Sequence, residues 1–243
     1  MKLKAIALLS TLALSGAAFA QTPAAAPAPD YTLSFNVGAV TDYRYRGISQ
    51  SRKKPAVQGG IDFAHSSGFY IGTWASSIKW ISDAGGNADA EIDVYGGYKG
   101  TFGSFGYDVG VLTYQYPDHS LPISPNTTEV YLAGTFGPAT LKYSHATSNL
   151  FGFANSKNSY YLDLSAAFDL GSGWTLTPHI GYQKVKNNAG FSYTDYSLTV
   201  GKDLGNGLSA SAALIGTDND NYLGPNGKNL GNGTVVVGIK YAF

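Results

Sequence analysis

The last ten residues of the chain, TVVVGIKYAF (residues 234–243), carry the strongest indication of its fold. Large apolar side chains occupy every second position, at Val235, Val237, Ile239, Tyr241 and Phe243. A spacing of two places all of them on one face of a β-strand. This pattern is typical of a membrane-barrel strand with one face toward lipid, and it also fits the edge strand of a soluble β-domain.

The N-terminus has the organisation of an export signal. Lys2 and Lys4 precede an apolar stretch over residues 5–14, which is too short for a spanning helix. The tripeptide at 18–20 follows the small-x-small rule of signal peptidase, so Ala18 and Ala20 mark the predicted cleavage site. We therefore predict a signal peptide over residues 1–20 and a flexible, Ala/Pro-rich lead-in over residues 21–30.

The composition favours an exported membrane barrel. Charged residues are 13% of the chain, against about 25% in a typical soluble domain. Aromatic residues are 14%, and there are 31 glycines. The chain has no cysteine, which excludes disulfides and thiolate metal sites. Its formal net charge of +0 gives no indication of a nucleic-acid partner.

Segments of alternating hydrophobicity account for most of the chain after the lead-in. They span residues 31–46, 55–65, 69–80, 88–98, 105–116, 127–136, 139–146, 159–169, 174–184, 193–202, 208–217 and 233–243. The connections are alternately short and Gly-rich or long and polar, as periplasmic turns and external loops alternate in outer-membrane barrels. We predict an all-β fold, a transmembrane antiparallel β-barrel of about twelve strands over residues 31–243.

The charged positions of these segments are predicted to face the lumen, because Lys or Arg facing lipid at mid-bilayer costs about 2–4 kcal/mol. The pore-lining candidates are Asp42, Arg44, Asp62, Lys79, Glu91, Asp93, Glu129, Lys142, Asp163 and Lys240, and the same phasing turns Asp108 and Asp195 inward. Either these groups are solvated or paired with one another, or they form a constriction that filters ions by sign. The excess of acids favours cations.

A basic group at the first long connection favours anions instead of cations. Arg46, Arg52, Lys53 and Lys54 are predicted to form an external basic loop. Such a loop would attract anionic solutes or bind lipopolysaccharide phosphates, or it would simply be solvated. Aromatic residues near segment ends predict interfacial girdles: Tyr31, Phe69, Tyr70, Trp80, Phe136, Phe168, Trp174, Tyr193, Tyr241 and Phe243.

Several stretches resemble the TorF family of porins. They are YRYRGIS (residues 43–49), PAVQGGID (55–62), GFYIGTW (68–74), EIDVYGGY (91–98) and VLTYQYP (111–117). The resemblance implies an outer-membrane barrel of Gram-negative bacteria and says little about the solute. The C-terminal pattern is likewise similar to the terminal signal that the barrel assembly machinery reads, which makes that machinery and outer-membrane lipid the expected partners.

Other chemistries find weaker support. Outer-membrane acyl hydrolases pair a Ser with a His, and the nearest approach to this is His145, followed by Thr147 where those enzymes have Ser. Residues 218–221 (DNDN) offer oxygen ligands but lack the Gly and distal Glu of an EF-hand. We predict no enzyme, no cofactor and no metal. The expected function is passive diffusion of small hydrophilic solutes or ions, and the alternative is a non-conducting structural or adhesive barrel.

Overall fold

The computed structural model describes residues 29–243. The predicted signal peptide over residues 1–20, with Ala18 and Ala20, lies outside the described residues. The same holds for residues 21–28 of the predicted lead-in.

The described chain is built almost wholly of antiparallel strands. They are β1 (Tyr31–Val40), β2 (Arg44–Tyr45), β3 (Ile48–Ser49), β4 (Ala56–His65), β5 (Phe69–Ser77), β6 (Ala90–Phe102), β7 (Phe105–Gln115), β8 (Thr127–Phe136), β9 (Ala139–Ala146), β10 (Tyr160–Ala166), β11 (Phe168–Gly171), β12 (Trp174–Lys184), β13 (Tyr193–Gly205), β14 (Leu208–Thr217) and β15 (Thr234–Ala242). One short helix, α1 (Trp80–Asp83), and 3₁₀ turns at Ala189–Phe191 and Pro225–Gly227 lie in the connections.

These strands close into a barrel. In chain order, β1 pairs with β4, and each strand from β4 to β10 pairs with the next. Both β10 and β11 pair with β12, each strand from β12 to β15 pairs with the next, and β1 pairs with β15. Because β10 and β11 are two segments of one interrupted strand, the barrel has twelve strands, and β2 and β3 form a separate hairpin. At the closing pair, the backbone N–H of Phe35 donates to the carbonyl of Phe243 (2.9 Å), and Phe243 donates back to Phe35 (3.0 Å). The predicted fold class is confirmed.

The two rims of the barrel differ in the length of their connections. Tight turns join the strands at one end, which we call the short-turn rim. Asn206 and Gly207 form one of them, with φ of 53° and 80°, and positive φ at both positions is what a two-residue hairpin of this twist requires. Long loops emerge at the other end: L1 (residues 41–55), L2 (78–89), L3 (116–126), L4 (147–159), L5 (185–192) and L6 (218–233).

The outer face of the barrel is an apolar belt. Val235, Val237 and Ile239 of β15 are all about half exposed, as are alternate Leu, Val and Ile residues on the other strands. Exposed aromatic residues ring the short-turn rim: Tyr31, Phe69, Phe102, Phe105, Phe136, Phe168, Trp174, Tyr241 and Phe243. A surface of this kind is suited to hydrocarbon, with aromatics at the interface.

Three aromatics predicted for the girdles lie elsewhere. Tyr70 points into the lumen, where its hydroxyl donates to the carboxylate of Asp108 and contacts the hydroxyl of Tyr131. Trp80 begins α1 in L2, and Tyr193 is buried at the start of β13. In each case the sequence shows that the residue lies near a strand end, but not which side of the wall it faces.

The first predicted strand is too long. Alternation continues through residues 43–46, but β1 ends at Val40 and the chain then turns into the barrel. The eighth predicted segment is interrupted at Ala167, whose N–H donates to the carbonyl of Pro138 (2.9 Å). Both departures occur where the backbone finds hydrogen-bond partners outside the regular ladder.

Candidate functional site

The inner face of the barrel is polar, and contacts between non-adjacent strands identify it. Tyr95 of β6 donates to Asp62 of β4 (2.5 Å), and Tyr70 of β5 donates to Asp108 of β7 (2.6 Å). Side chains on strands two apart meet in this way only across the concave side of a closed sheet. The acids predicted to face inward on β4 and β7 therefore do so.

Loop L1 folds back into this lumen instead of extending outward. Its hairpin β2–β3 turns at Arg46 and Gly47, whose φ values are 45° and 79°. Asp42 holds the loop together, because its carboxylate accepts from Arg44 (2.6 Å) and from Ser49 (2.5 Å). Arg44 also donates to the backbone carbonyl of Leu230 in L6 (2.8 Å), which ties L1 to the last loop.

Arg46 crosses the lumen to the opposite wall. Its guanidinium donates to both oxygens of Glu129 on β8 (3.0 and 2.7 Å) and to the side-chain oxygen of Gln183 on β12 (2.6 Å). It also lies over the rings of Tyr161 and Tyr45, 4.2 and 4.8 Å from their centroids. We call this set the Arg46 clamp. Arg46 is 7% exposed and Glu129 is 1% exposed, so the pair is almost fully desolvated.

A second attachment holds the base of L1. Tyr43 donates to Glu91 on β6 (2.5 Å), and Tyr116 donates to the other oxygen of the same carboxylate (2.7 Å). The ring of Tyr43 packs edge-on against Trp74, with centroids 5.3 Å apart. Together with the Arg46 clamp, these contacts fill the lumen at the level where β6 and β8 approach the long-loop rim.

Asp93 is the acid of this level without a bonded partner. It lies on β6 two residues from Glu91, is 1% exposed, and neither of its carboxylate oxygens has a hydrogen bond among the described residues. A buried carboxylate without a partner is costly. Asp93 therefore bears its charge only when water or a cation reaches it, which makes it a candidate contact for a cation that enters the lumen.

Asp163 and Asp195 belong to a cluster around His179, a residue for which the sequence predicts no role. Nε2 of His179 lies 2.9 Å from Asp163 and Nδ1 lies 3.6 Å from Asp195. The hydroxyl of Tyr161 donates to Asp195 (2.9 Å). Alternation along β12 places His179 on the inner face of the barrel, and the sequence could have predicted its position from that pattern.

The other predicted site residues are distributed along the barrel. Asp62, Lys142 and Lys240 are partly buried on the inner side, with the Lys142 ammonium 4.1 Å from the ring centroid of Tyr131. Two predictions are wrong. Lys79 is not in the lumen: β5 ends at Ser77, and Lys79 is exposed and pairs with Asp89 (2.8 Å). Arg46 is not external, because Glu129 and Gln183 bind it inside.

The remaining members of the predicted basic loop stay near the long-loop rim. Arg52 pairs with both oxygens of Asp83 in α1, and Lys54 is exposed. Lys53 is half-buried, and its N–H donates to the hydroxyl of Ser49 (2.8 Å). Only part of the predicted basic group is thus available to an anion outside the barrel.

The geometry around His145 does not form a nucleophile–base pair. Its ring nitrogens contact the hydroxyl of Tyr143 (3.0 Å) and the side-chain oxygen of Asn158 (3.2 Å), and Thr147 donates to the carbonyl of Thr128 (3.1 Å). Within residues 29–243, no set of three or more His, Cys, Asp or Glu side chains is arranged to hold a metal ion.

The fold and the inserted loop define a transmembrane antiparallel barrel with an internally restricted lumen. Residues 24–243 match the family described as bacterial protein of unknown function (Gcw_chp), and the chain belongs to that family. No curated protein matches the sequence. Within the described residues, no helix has the length and apolar character needed to cross a membrane.

Two solved porins share the fold. The first is the KdgM porin, at TM-score 0.60 and 12% identity, covering 86% of this chain and 99% of that one. The second is the NanC porin, at TM-score 0.55 and 12% identity, covering 87% and 99%. The KdgM porin has also been solved in complex with disordered oligogalacturonate. At this identity the likeness concerns the fold.

Proposed function

We propose that this protein is an outer-membrane channel for small hydrophilic solutes and ions, with passage restricted by loop L1. The single observation that carries the proposal is the polar inner face, whose charged side chains are buried from lipid while the outer face is apolar. A barrel that served only as an anchor would have no need of ionisable groups along its interior, because each costs desolvation energy.

The charge of the inner wall favours cations. Carboxyl groups on the inner face of the strands outnumber the lysines: Asp62, Glu91, Asp93, Asp108, Glu129, Asp163 and Asp195 against Lys99, Lys142 and Lys240. Of these acids, Glu129 is neutralised by Arg46, and Asp93 has no bonded partner. Rings of acidic side chains select cations in known channels. An acidic inner wall disfavours polyanions such as the oligogalacturonate that was solved in complex with the KdgM porin.

The lumen is narrowed by the docked L1 at the level of Glu91, Asp93 and Glu129. Glu91, Asp93 and Glu129 are each 1% exposed, so little water reaches them while L1 is docked. Conduction through this level therefore requires L1 to move. Loops held by a few polar contacts open locally at lower free energy than the sheet that carries them. We infer infrequent openings in the unaltered protein.

The same burial favours the second candidate function, a non-conducting barrel that binds partners through its long loops. Residues 218–221 in L6 are mostly exposed, but their carboxylates already have partners within the described chain: Asp218 accepts from the N–H of Thr194 (2.7 Å) and Asp220 from Asn229 (2.6 Å). Conductance separates the two functions. A non-conducting barrel gives no current from the unaltered protein, whereas a channel conducts whenever L1 leaves the lumen.

Ion selectivity tests the assignment of the lumen. In a planar bilayer with a KCl gradient, we expect a reversal potential of the sign that K⁺ permeation produces. Replacing Asp93→Asn should move that potential toward zero, because it removes a carboxylate that is hydrated and ionised when L1 leaves the lumen, and it keeps the shape of the side chain. Asp118→Asn is the matched control: Asp118 is exposed in L3 at φ 55°, a conformation that Asn adopts readily.

Two results would count against this prediction. A reversal potential of the chloride sign would overturn the cation preference. An equal shift in Asp93→Asn and Asp118→Asn would show that surface charge, and not the lumen, sets the selectivity.

The remaining expectations extend the proposal beyond the barrel itself. We infer export through the signal peptide over residues 1–20, and insertion by the barrel assembly machinery through the terminal pattern that ends at Phe243. We also propose that the exposed Lys54 contacts lipopolysaccharide phosphates at the external rim, whereas Arg52 is bound by Asp83. The resemblance to the TorF family stays a prediction.

A further inference from the structure

A cavity of about 250 Å³ opens among the long loops, on the outer side of the L1 hairpin. Aromatic residues are the largest group on its wall, among them Tyr45, Trp80, Tyr116, Phe151, Tyr193 and Tyr222, and aliphatic and a few polar residues lie between them. They come from L1, L2, L3, L4, β13 and L6, so the cavity exists only because the loops pack together. We call it the outer cavity.

The rings that line the outer cavity are held by one another. Tyr45, Tyr114 and Phe151 pack edge to face, with centroids 5.1–5.4 Å apart. Tyr222 packs edge-on against Tyr193 at 5.2 Å, and Trp80 against Tyr116 at 5.1 Å. Such a wall is preformed, so binding a ligand does not incur the free-energy cost of ordering these side chains.

The outer cavity carries no free charge to recognise an ion. The one acid on its wall, Asp83, is bound by Arg52, and no Lys, Arg or His lines it. Burial raises the pKa of Tyr116 and of Tyr222 above the ordinary phenol value, so their hydroxyls stay neutral. Apolar sites with a few neutral polar groups suit uncharged small molecules.

Size narrows the ligand further. An apolar cavity of about 150 Å³ holds one benzene ring, so a cavity of about 250 Å³ has room for two fused rings. Ser49, Gln50 and Gln183 are neutral polar residues on the wall, and a ligand with one hydroxyl group suits such a lining.

We propose that the outer cavity binds an uncharged bicyclic aromatic molecule, of the size of naphthol, stacked among Tyr45, Trp80 and Phe151. The cavity lies directly against the Arg46 clamp, since Tyr45 and Gln183 line the cavity and also contact Arg46. The site needs no conduction to exist, and its test does not depend on the proposed channel function.

Calorimetric titration of 1-naphthol into the full barrel, held in lipid nanodiscs so that detergent does not compete, tests the proposal. We expect saturable binding with one site per barrel, accompanied by a change in tryptophan fluorescence. Ala84→Trp should fill the cavity, since Ala84 lines it and is exposed at the end of α1, and should weaken binding about tenfold or more. Ala154→Trp, at an exposed L4 position outside the wall, should bind as the unaltered protein does.

A second variant protects the test against misfolding of the first. Leu223→Asp places a charge on the wall at a position that is already 59% exposed, and it should also weaken binding. Absence of saturable binding to the unaltered protein, or equal affinity in both cavity variants and the control, would overturn the site. Tighter binding of octan-1-ol than of 1-naphthol would overturn the aromatic ligand and identify an acyl-chain site instead.

Discussion

Replacing Arg46→Ala is expected to open the barrel and raise its mean conductance in planar bilayers severalfold. While L1 stays docked, the variant leaves Glu129 buried without its partner, at a cost of about 3–5 kcal/mol. When L1 leaves the lumen, Glu129 becomes hydrated and that cost disappears. A difference of this size moves the ratio of docked to undocked L1 by roughly two to three orders of magnitude. The recordings should show frequent, long openings.

The matched control is Arg52→Ala. Arg52 is in the same loop and also pairs with a carboxylate, but its side chain is 40% exposed. Exposed pairs contribute about 0–1 kcal/mol, so this variant should conduct as the unaltered protein does. Heat-modifiable electrophoretic mobility verifies that the Arg46→Ala barrel is folded. Unchanged conductance in this folded variant would show that the Arg46 clamp does not restrict the lumen.

Deleting Phe243 is expected to deplete the protein from the outer membrane while leaving processing of the exported chain intact. Phe243 exchanges two backbone hydrogen bonds with Phe35 at the end of the closing strand pair, and their rings stack at 5.7 Å. The register of β1 against β15 otherwise runs only from Asn36–Ala242 to Val40–Gly238. Membrane fractionation with immunoblotting measures the outcome.

Phe102→Ala controls for the loss of an exposed aromatic at the same rim. Phe102 is 83% exposed and Phe243 66%, but Phe102 ends β6 within the sheet and takes no part in closure. This variant should reach the membrane at nearly normal levels. If the protein without Phe243 assembled as well as the Phe102→Ala variant, the terminal residue would have no special part in closing the barrel.

Most of the barrel wall is predictable from the sequence, because each strand carries its own alternation and each tight turn its own glycine. Strands β8, β9, β12 and β14 have the predicted bounds. The inner face of the third segment is set by a contact that the sequence does not reveal. Tyr70 and Asp108 face inward because they meet each other across the lumen.

The restriction of the lumen is the part that sequence analysis misses. Residues 43–46 alternate as a strand does, and the positive charge of Arg46 with the residues that follow predicts an external basic loop. Their true partners lie far along the chain: Arg46 is 83 residues from Glu129 and 137 from Gln183. Pairings of this range leave no periodic trace, and only closure of the barrel brings them together.

Single-channel recording of the unaltered protein tests whether L1 restricts a cation-selective channel. We expect infrequent, discrete openings of small conductance, with a reversal potential that favours cations in a KCl gradient. Purified, folded barrel that inserts into the bilayer and gives no discrete openings at any applied voltage would contradict it.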